Sequence, residues 1–96
     1  MNIVIVGTGY VGLVTGVGFA EQGHNVSFID LDSSKIQKLE DKQLPFFEPD
    51  LDNYFEKDEN FNRMSFHSNY ESLDWQSTDI VFICVQTPNN LETNSV

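Results

Sequence analysis

Ile3-Val4-Ile5-Val6-Gly7-Thr8-Gly9-Tyr10-Val11-Gly12 runs an unbroken apolar strand into glycines spaced G-x-G-x-x-G, and a helical pattern follows as far as Gly23. Glycines at this spacing are common in loops, so the flanking elements carry the weight: a strand before and a helix after make a dinucleotide-binding turn. The acidic partner of such a turn is present. Asp30 closes the second apolar run, Val26-Ser27-Phe28-Ile29, eighteen residues beyond Gly12.

Each residue type suits that chemistry. Gly7 permits the tight turn from strand to helix, and Gly9, without a Cβ, lets the backbone approach a pyrophosphate. The free amides and positive dipole end of the helix then favour the anion without a cationic side chain. Gly12, Gly16 and Ala20 fall at i, i+4 and i+8, a stripe of small residues that brings the helix close to a sheet. Gly16 and Gly18 each cost roughly 1 kcal/mol against alanine inside a helix, and close packing is the expected reason for both. Asp30 can accept hydrogen bonds from both ribose hydroxyls of an adenosine and would repel a 2′-phosphate, which predicts NAD over NADP. An ordinary turn with a solvated strand-end carboxylate, and a flavin-binding domain that uses the same turn, are the competing readings.

The remaining pattern predicts strands at 2–6, 25–30, 63–67 and 79–85, helices at 10–22, 34–42 and 50–57, and a short helical turn near 70–74. Strands alternating with helices imply a parallel sheet. The expected fold class is α/β: a partial Rossmann fold, doubly wound, with about four strands in the order 3-2-1-4. Because a complete fold of this type has six strands, the 96 residues are read as a truncated domain. Ile80-Val81-Phe82-Ile83-Cys84-Val85 is continuously apolar, as in a strand covered on both faces, and Cys84 is expected in its core. With no following strand, that segment would instead be an exposed apolar edge, through which self-association to a homo-oligomer is expected. Ser34 with Gln37 resembles a capping box for the second helix, and Asp32 is an equally good cap.

Charge narrows the partners. Fifteen acidic residues against five basic ones give a net charge of −10, which argues against nucleic acid and anionic membrane. Six of those acids lie between Glu48 and Glu59, read as a solvated helix face with Leu51, Tyr54 and Phe55 on its apolar side. There is no apolar run of membrane-spanning length, and Met1 leads directly into strand residues, so a cytoplasmic protein is expected. One cysteine and two scattered histidines give no metal-ligand spacing, and no metal is expected.

Four motifs in order carry a family resemblance: residues 7–16, Gly7-Thr8-Gly9-Tyr10-Val11-Gly12-Leu13-Val14-Thr15-Gly16; Gly23-His24 with Asp30-Leu31-Asp32 and Lys35-Ile36; Glu48-Pro49-Asp50-Leu51; and Thr87-Pro88. Together they resemble the amino-terminal, NAD-binding part of the UDP-glucose/GDP-mannose dehydrogenase family. Val14-Thr15-Gly16 leans toward its UDP-glucose members, with the GDP-mannose and UDP-N-acetylmannosamine enzymes as near neighbours. The resemblance implies that Gly7, Thr8, Gly9, Tyr10, Val11 and Gly12 hold the NAD pyrophosphate. It further implies that Asp30 holds the adenosine ribose, that Lys35 is the basic residue at the adenosine end, and that Val85, Thr87 and Pro88 pass beside the cofactor. Residues 45–51 are read as a structural crossing between helices, and Asp50 stands where the family commonly has glycine. The family oxidises an alcohol carbon to a carboxylate in two NAD-dependent steps with a cysteine nucleophile. That cysteine, its catalytic partners and the UDP-sugar pocket belong to later domains, so no catalytic residue is expected here and the isolated chain is expected to be inactive. A non-catalytic nucleotide-binding module is the alternative from another class.

Overall fold

A computed structural model describes residues 1–85. In chain order the elements are β1 (Asn2–Val6), α1 (Tyr10–Glu21), β2 (Asn25–Ile29), α2 (Ser33–Glu40), α3 (Pro49–Glu56), α4 (Asp58–Phe61), β3 (Met64–His67) and β4 (Ile80–Ile83). Two single 3-10 turns, Tyr70–Ser72 and Trp75–Ser77, link β3 to β4. All pairings are parallel, as the alternation of elements predicts, and the order is β3-β2-β1-β4, as expected of a Rossmann fold.

Period-two alternation sorts the strand residues onto two faces. Ile3, Ile5, Val26, Phe28 and Met64 pack with Leu13, Val17 and Ala20 of α1, Leu39 of α2, and Leu51 and Phe55 of α3. The opposite face carries a smaller cluster of Val4, Ile29 and Leu73. The small-residue stripe of α1 works as expected at two of its glycines: a Cβ on Gly12 would run into the carbonyl oxygen of Gly7, and one on Gly16 into the ring of Phe28. Gly18 departs from the expectation. It is exposed and a Cβ there would meet nothing within 4 Å, so close packing does not explain it. Gly18→Ala is therefore expected to raise stability by about 0.5–1 kcal/mol, read as a higher thermal midpoint.

Several boundaries differ from the sequence pattern for identifiable reasons. Asp32 is the cap of α2, accepting from the backbone N–H of Ser34 at 3.1 Å and of Lys35 at 3.4 Å, so the capping-box alternative gives way. The same helix ends at Glu40, before the expected 42, because Lys42 adopts φ 62° and closes the last turn. Gln43 N–H then reaches the Lys38 carbonyl at 2.8 Å and Lys42 N–H the Leu39 carbonyl at 3.0 Å. Lys42 holds this left-handed position while its ammonium pairs with Asp58 at 3.2 Å and lies 4.9 Å from the Phe61 ring centroid.

The acidic segment forms two helices, since Lys57 is extended between α3 and α4. Leu51 and Phe55 are buried as expected, but Tyr54 is exposed. Asp50 sits in the first turn of α3, where a carboxylate complements the helix dipole and no glycine conformation is needed. Buried Asn60 ties this region to α1: its amide donates to Glu21 Oε1 and, at 2.9 Å, to the Tyr54 carbonyl, while Arg63 donates to its Oδ1 at 3.3 Å.

β4 is the exposed edge expected where no further strand follows, and not a doubly covered strand: it is four residues long, pairs with β1 alone among the described residues, and leaves Val81 and Ile83 42% and 68% exposed. Cys84 lies one residue past that strand, partly buried against the α1-side core rather than inside the strand. No helix among the described residues is long and apolar enough to cross a membrane.

Candidate functional site

The carboxyl ends of β1, β2 and β4 meet at the glycine turn. Gly7 has φ 103°, donates its N–H to the Ile29 carbonyl at 2.8 Å, and would place a Cβ 2.9 Å from the Cys84 carbonyl oxygen. Only glycine fits between the two neighbouring strand ends. Gly9 is different in kind. Its backbone is extended (φ −77°, ψ −169°), a conformation open to any residue, and a Cβ on it would meet nothing within 4 Å among the described residues. The space in front of Gly9 is therefore available to a ligand. No side chain caps the helix that begins there, and Leu13 N–H, bonded to the Gly9 carbonyl at 3.0 Å, makes the first backbone bond of its turn. Amides without a side-chain cap, facing open space at a helix start, suit the pyrophosphate of a dinucleotide.

Thr8 is 2% exposed, and its side chain works within the protein. Its hydroxyl donates to Asp30 Oδ2 at 2.7 Å and its backbone N–H donates to the same oxygen at 3.2 Å. Asp30 Oδ1 accepts from the backbone N–H of Asp32 at 3.0 Å. The carboxylate thus joins the glycine turn to the β2–α2 loop. Burial raises the Asp30 pKa, but the bonds from Asp32 and Thr8, with the nearby Lys35 charge, outweigh it and hold the group below its ordinary value of 3.8. Asp32 is lowered as well, chiefly by the Ser34 hydroxyl that donates to it at 2.7 Å and by the backbone N–H of Lys35. Both are carboxylates at neutral pH.

These shifts carry a pH dependence. A carboxyl with a folded pKa below its unfolded one stabilises the fold above the unfolded value and ceases to as pH falls through the folded one. His67 adds to this: burial lowers its pKa below 6.5 against the opposing charge of Glu40, so its contribution is complete above pH 6.5 and declines below it. Thermal midpoints are expected to fall in two stages on acidification, the first beginning below pH 6.5 and removed by His67→Gln, the second below 3.8 and reduced by Asp30→Asn.

Two cavities flank the turn. One of about 290 Å³ is lined by Gly9, Tyr10, Val11, Ile83, Cys84 and Val85, so Val85 does come to the glycine turn. The other, about 530 Å³, lies between Thr8 and α2, with Asp32, Ser34, Lys35, Lys38 and Leu39 in its wall. Lys35 thus lines a cavity beside Thr8. Tyr10 also packs against Phe46 with the rings tilted and their centroids 5.1 Å apart, which ties the 45–51 crossing to the start of α1. Thr87 and Pro88 lie outside the described residues. The sequence reading passed over Lys38 and Gln43 as cavity residues. Lys38 had a signal, since it follows Lys35 by three positions on one helix, whereas Gln43 reaches the cavity only through the turn at Lys42.

A parallel sheet that changes direction of winding at β1, with an open glycine turn at that switch point, defines a Rossmann-type dinucleotide-binding domain. Residues 1–96 match the family described as the UDP-glucose/GDP-mannose dehydrogenase family, NAD binding domain, and the chain belongs to that family. It is 47% identical over 88 residues to UDP-glucose 6-dehydrogenase YwqF of Bacillus subtilis, a match spanning 92% of this chain and 20% of the relative. Among solved structures it resembles a GDP-mannose dehydrogenase from Pseudomonas aeruginosa, with TM-score 0.80, 33% identity, and 92% of this chain against 20% of that one. It also resembles a UDP-D-ManNAc dehydrogenase from Pyrococcus horikoshii, with TM-score 0.81, 31% identity, and 92% against 21%. The chain spans about a fifth of the length of these proteins.

Proposed function

We propose that this chain is the amino-terminal, NAD-binding part of an enzyme that oxidises UDP-glucose to UDP-glucuronate with two NAD. The observation that carries the cofactor reading is the empty approach to Gly9 at a helix start with no side-chain cap. In this reading the pyrophosphate lies over residues 7–12, with Tyr10 and Val11 contributing backbone amides. Asp30 takes the adenosine ribose, Lys35 is the basic residue at the adenosine end, and Val85, Thr87 and Pro88 run alongside. Bound NAD would accept the hydride. The chain's own residues bind and orient it, since the nucleophile and the sugar pocket lie in domains outside these 96 residues. UDP-glucose as the sugar nucleotide is supported by the 47% and 45% identities to relatives named UDP-glucose 6-dehydrogenase.

Calorimetric titration of the chain with NAD, NADP and FAD, alongside an assay for NADH production from UDP-glucose, tests this reading. The expected result is NAD binding without turnover. Binding of FAD in place of NAD would overturn the cofactor assignment, and steady NADH production would overturn the division of labour between domains.

A further inference from the structure

A helix start that receives an anion has to hold its first N–H groups still, and α1 lacks the usual device for doing so. No side chain caps it, and its first backbone bond runs from Leu13 N–H to the Gly9 carbonyl, so the N–H groups of Tyr10, Val11 and Gly12 have no acceptor within the helix. Leu13 is the first fully buried side chain of α1, while Tyr10 and Val11 ahead of it are exposed. The aromatic contact at that end joins Tyr10 to Phe46, with the rings tilted by 52° and their centroids 5.1 Å apart.

Phe46 is itself placed from both sides. Upstream, Lys42 at φ 62° closes α2, and Gln43 N–H bonds back to the Lys38 carbonyl. Downstream, α3 begins at Pro49 and buries Leu51 and Phe55. Between these anchors the chain packs Leu44 and Phe46 against the α1-side core and leaves Phe47 82% exposed. Phe46 therefore rests on the core while its ring meets that of Tyr10. An exposed tyrosine without such a neighbour samples more than one staggered well of χ1. We propose that Phe46 is a positioning residue for the dinucleotide: it holds the Tyr10 ring in one rotamer, which keeps the first turn of α1 ordered and the ring clear of the open approach to Gly9. The proposal rests on the NAD reading above and gives the 45–51 crossing a part in cofactor binding, exerted through Tyr10.

Phe46→Leu keeps an apolar side chain against the core and removes the aromatic face. Titration of the full chain with NAD is expected to show about fivefold weaker binding, the scale of one aromatic pair. Phe46→Tyr, which keeps the ring, is expected to match the parent, and so is Phe47→Ala at the exposed neighbour. Because Phe46 acts through Tyr10, Phe46→Leu is expected to cost nothing further in a Tyr10→Ala background. A dissociation constant for Phe46→Leu within twofold of the parent's overturns the proposal. So does an undiminished loss in the Tyr10→Ala background, which would mark direct contact with the cofactor or a general loosening of the domain. The χ1 angle of Tyr10 in the parent chain, read from NMR couplings, needs no variant: one rotamer is expected, and averaging over rotamers overturns the proposal even if Phe46→Leu fails to fold. A parent chain that binds no NAD overturns the cofactor reading itself, and this inference with it.

Discussion

Gly12→Ala is expected to destabilise the fold by about 3 kcal/mol, lowering the thermal midpoint of a domain this size by roughly 12–24 °C. The added methyl would be driven into the carbonyl oxygen of Gly7, with Ile5 Cγ2 also 3.3 Å away. Neither neighbour can give easily. Gly7 is itself held between β2 and β4 by its bond to the Ile29 carbonyl and by the Cys84 carbonyl beside it. The strain must therefore tilt α1 off the sheet, which would open the contacts of Leu13 and Val17, both almost fully buried. A midpoint within a few degrees of the parent's would show that α1 does not pack as closely as this geometry requires.

Gly9→Ala is expected to do the reverse. The backbone there is ordinary for any residue, and the methyl would meet no atom of the described residues within 4 Å. Stability should stay within about 0.5 kcal/mol of the parent, the range of changes away from packed or strained positions. The methyl would stand where the pyrophosphate must approach the helix start, so NAD affinity is expected to fall about 100-fold, equivalent to roughly 2.7 kcal/mol. Unfolding and titration measured on the same two variants separate the glycine that builds the turn from the one that leaves room for a ligand. Retained NAD affinity in Gly9→Ala would place the dinucleotide elsewhere.

Much of the fold was legible because the relevant interactions are local or periodic. The apolar run before Gly7, the strand ending at Asp30 and the alternation of strands with helices marked a Rossmann-type parallel sheet, and the observed strand order is the one that fold carries. Where the reading failed, the deciding contact was tertiary. Nothing in Lys42 marks a helix end, and its left-handed backbone accompanies an ion pair with Asp58 and a contact with Phe61, both more than fifteen residues away. Tyr54 looked apolar by helical spacing, yet α3 turns Leu51 and Phe55 inward and leaves Tyr54 at the surface. The apolar run at β4 suits a doubly covered strand as well as an exposed edge, and the tertiary structure decided for the edge, with β1 its one partner among the described residues.

By itself, the sequence determined most of the elements, their parallel pairing and the presence of a glycine turn followed by an acid, because backbone sterics and hydrophobic periodicity act over a few residues. Only the tertiary structure decided what each of those residues does. Gly7, Gly12 and Gly16 are excluded from carrying a Cβ by atoms from other parts of the chain, whereas Gly9 and Gly18 face open space. Asp30, in the same way, is a carboxylate largely engaged by Thr8 and Asp32 before any ligand arrives. Spacing sets which groups can meet, but how many lone pairs remain free depends on where the folded backbone brings each donor.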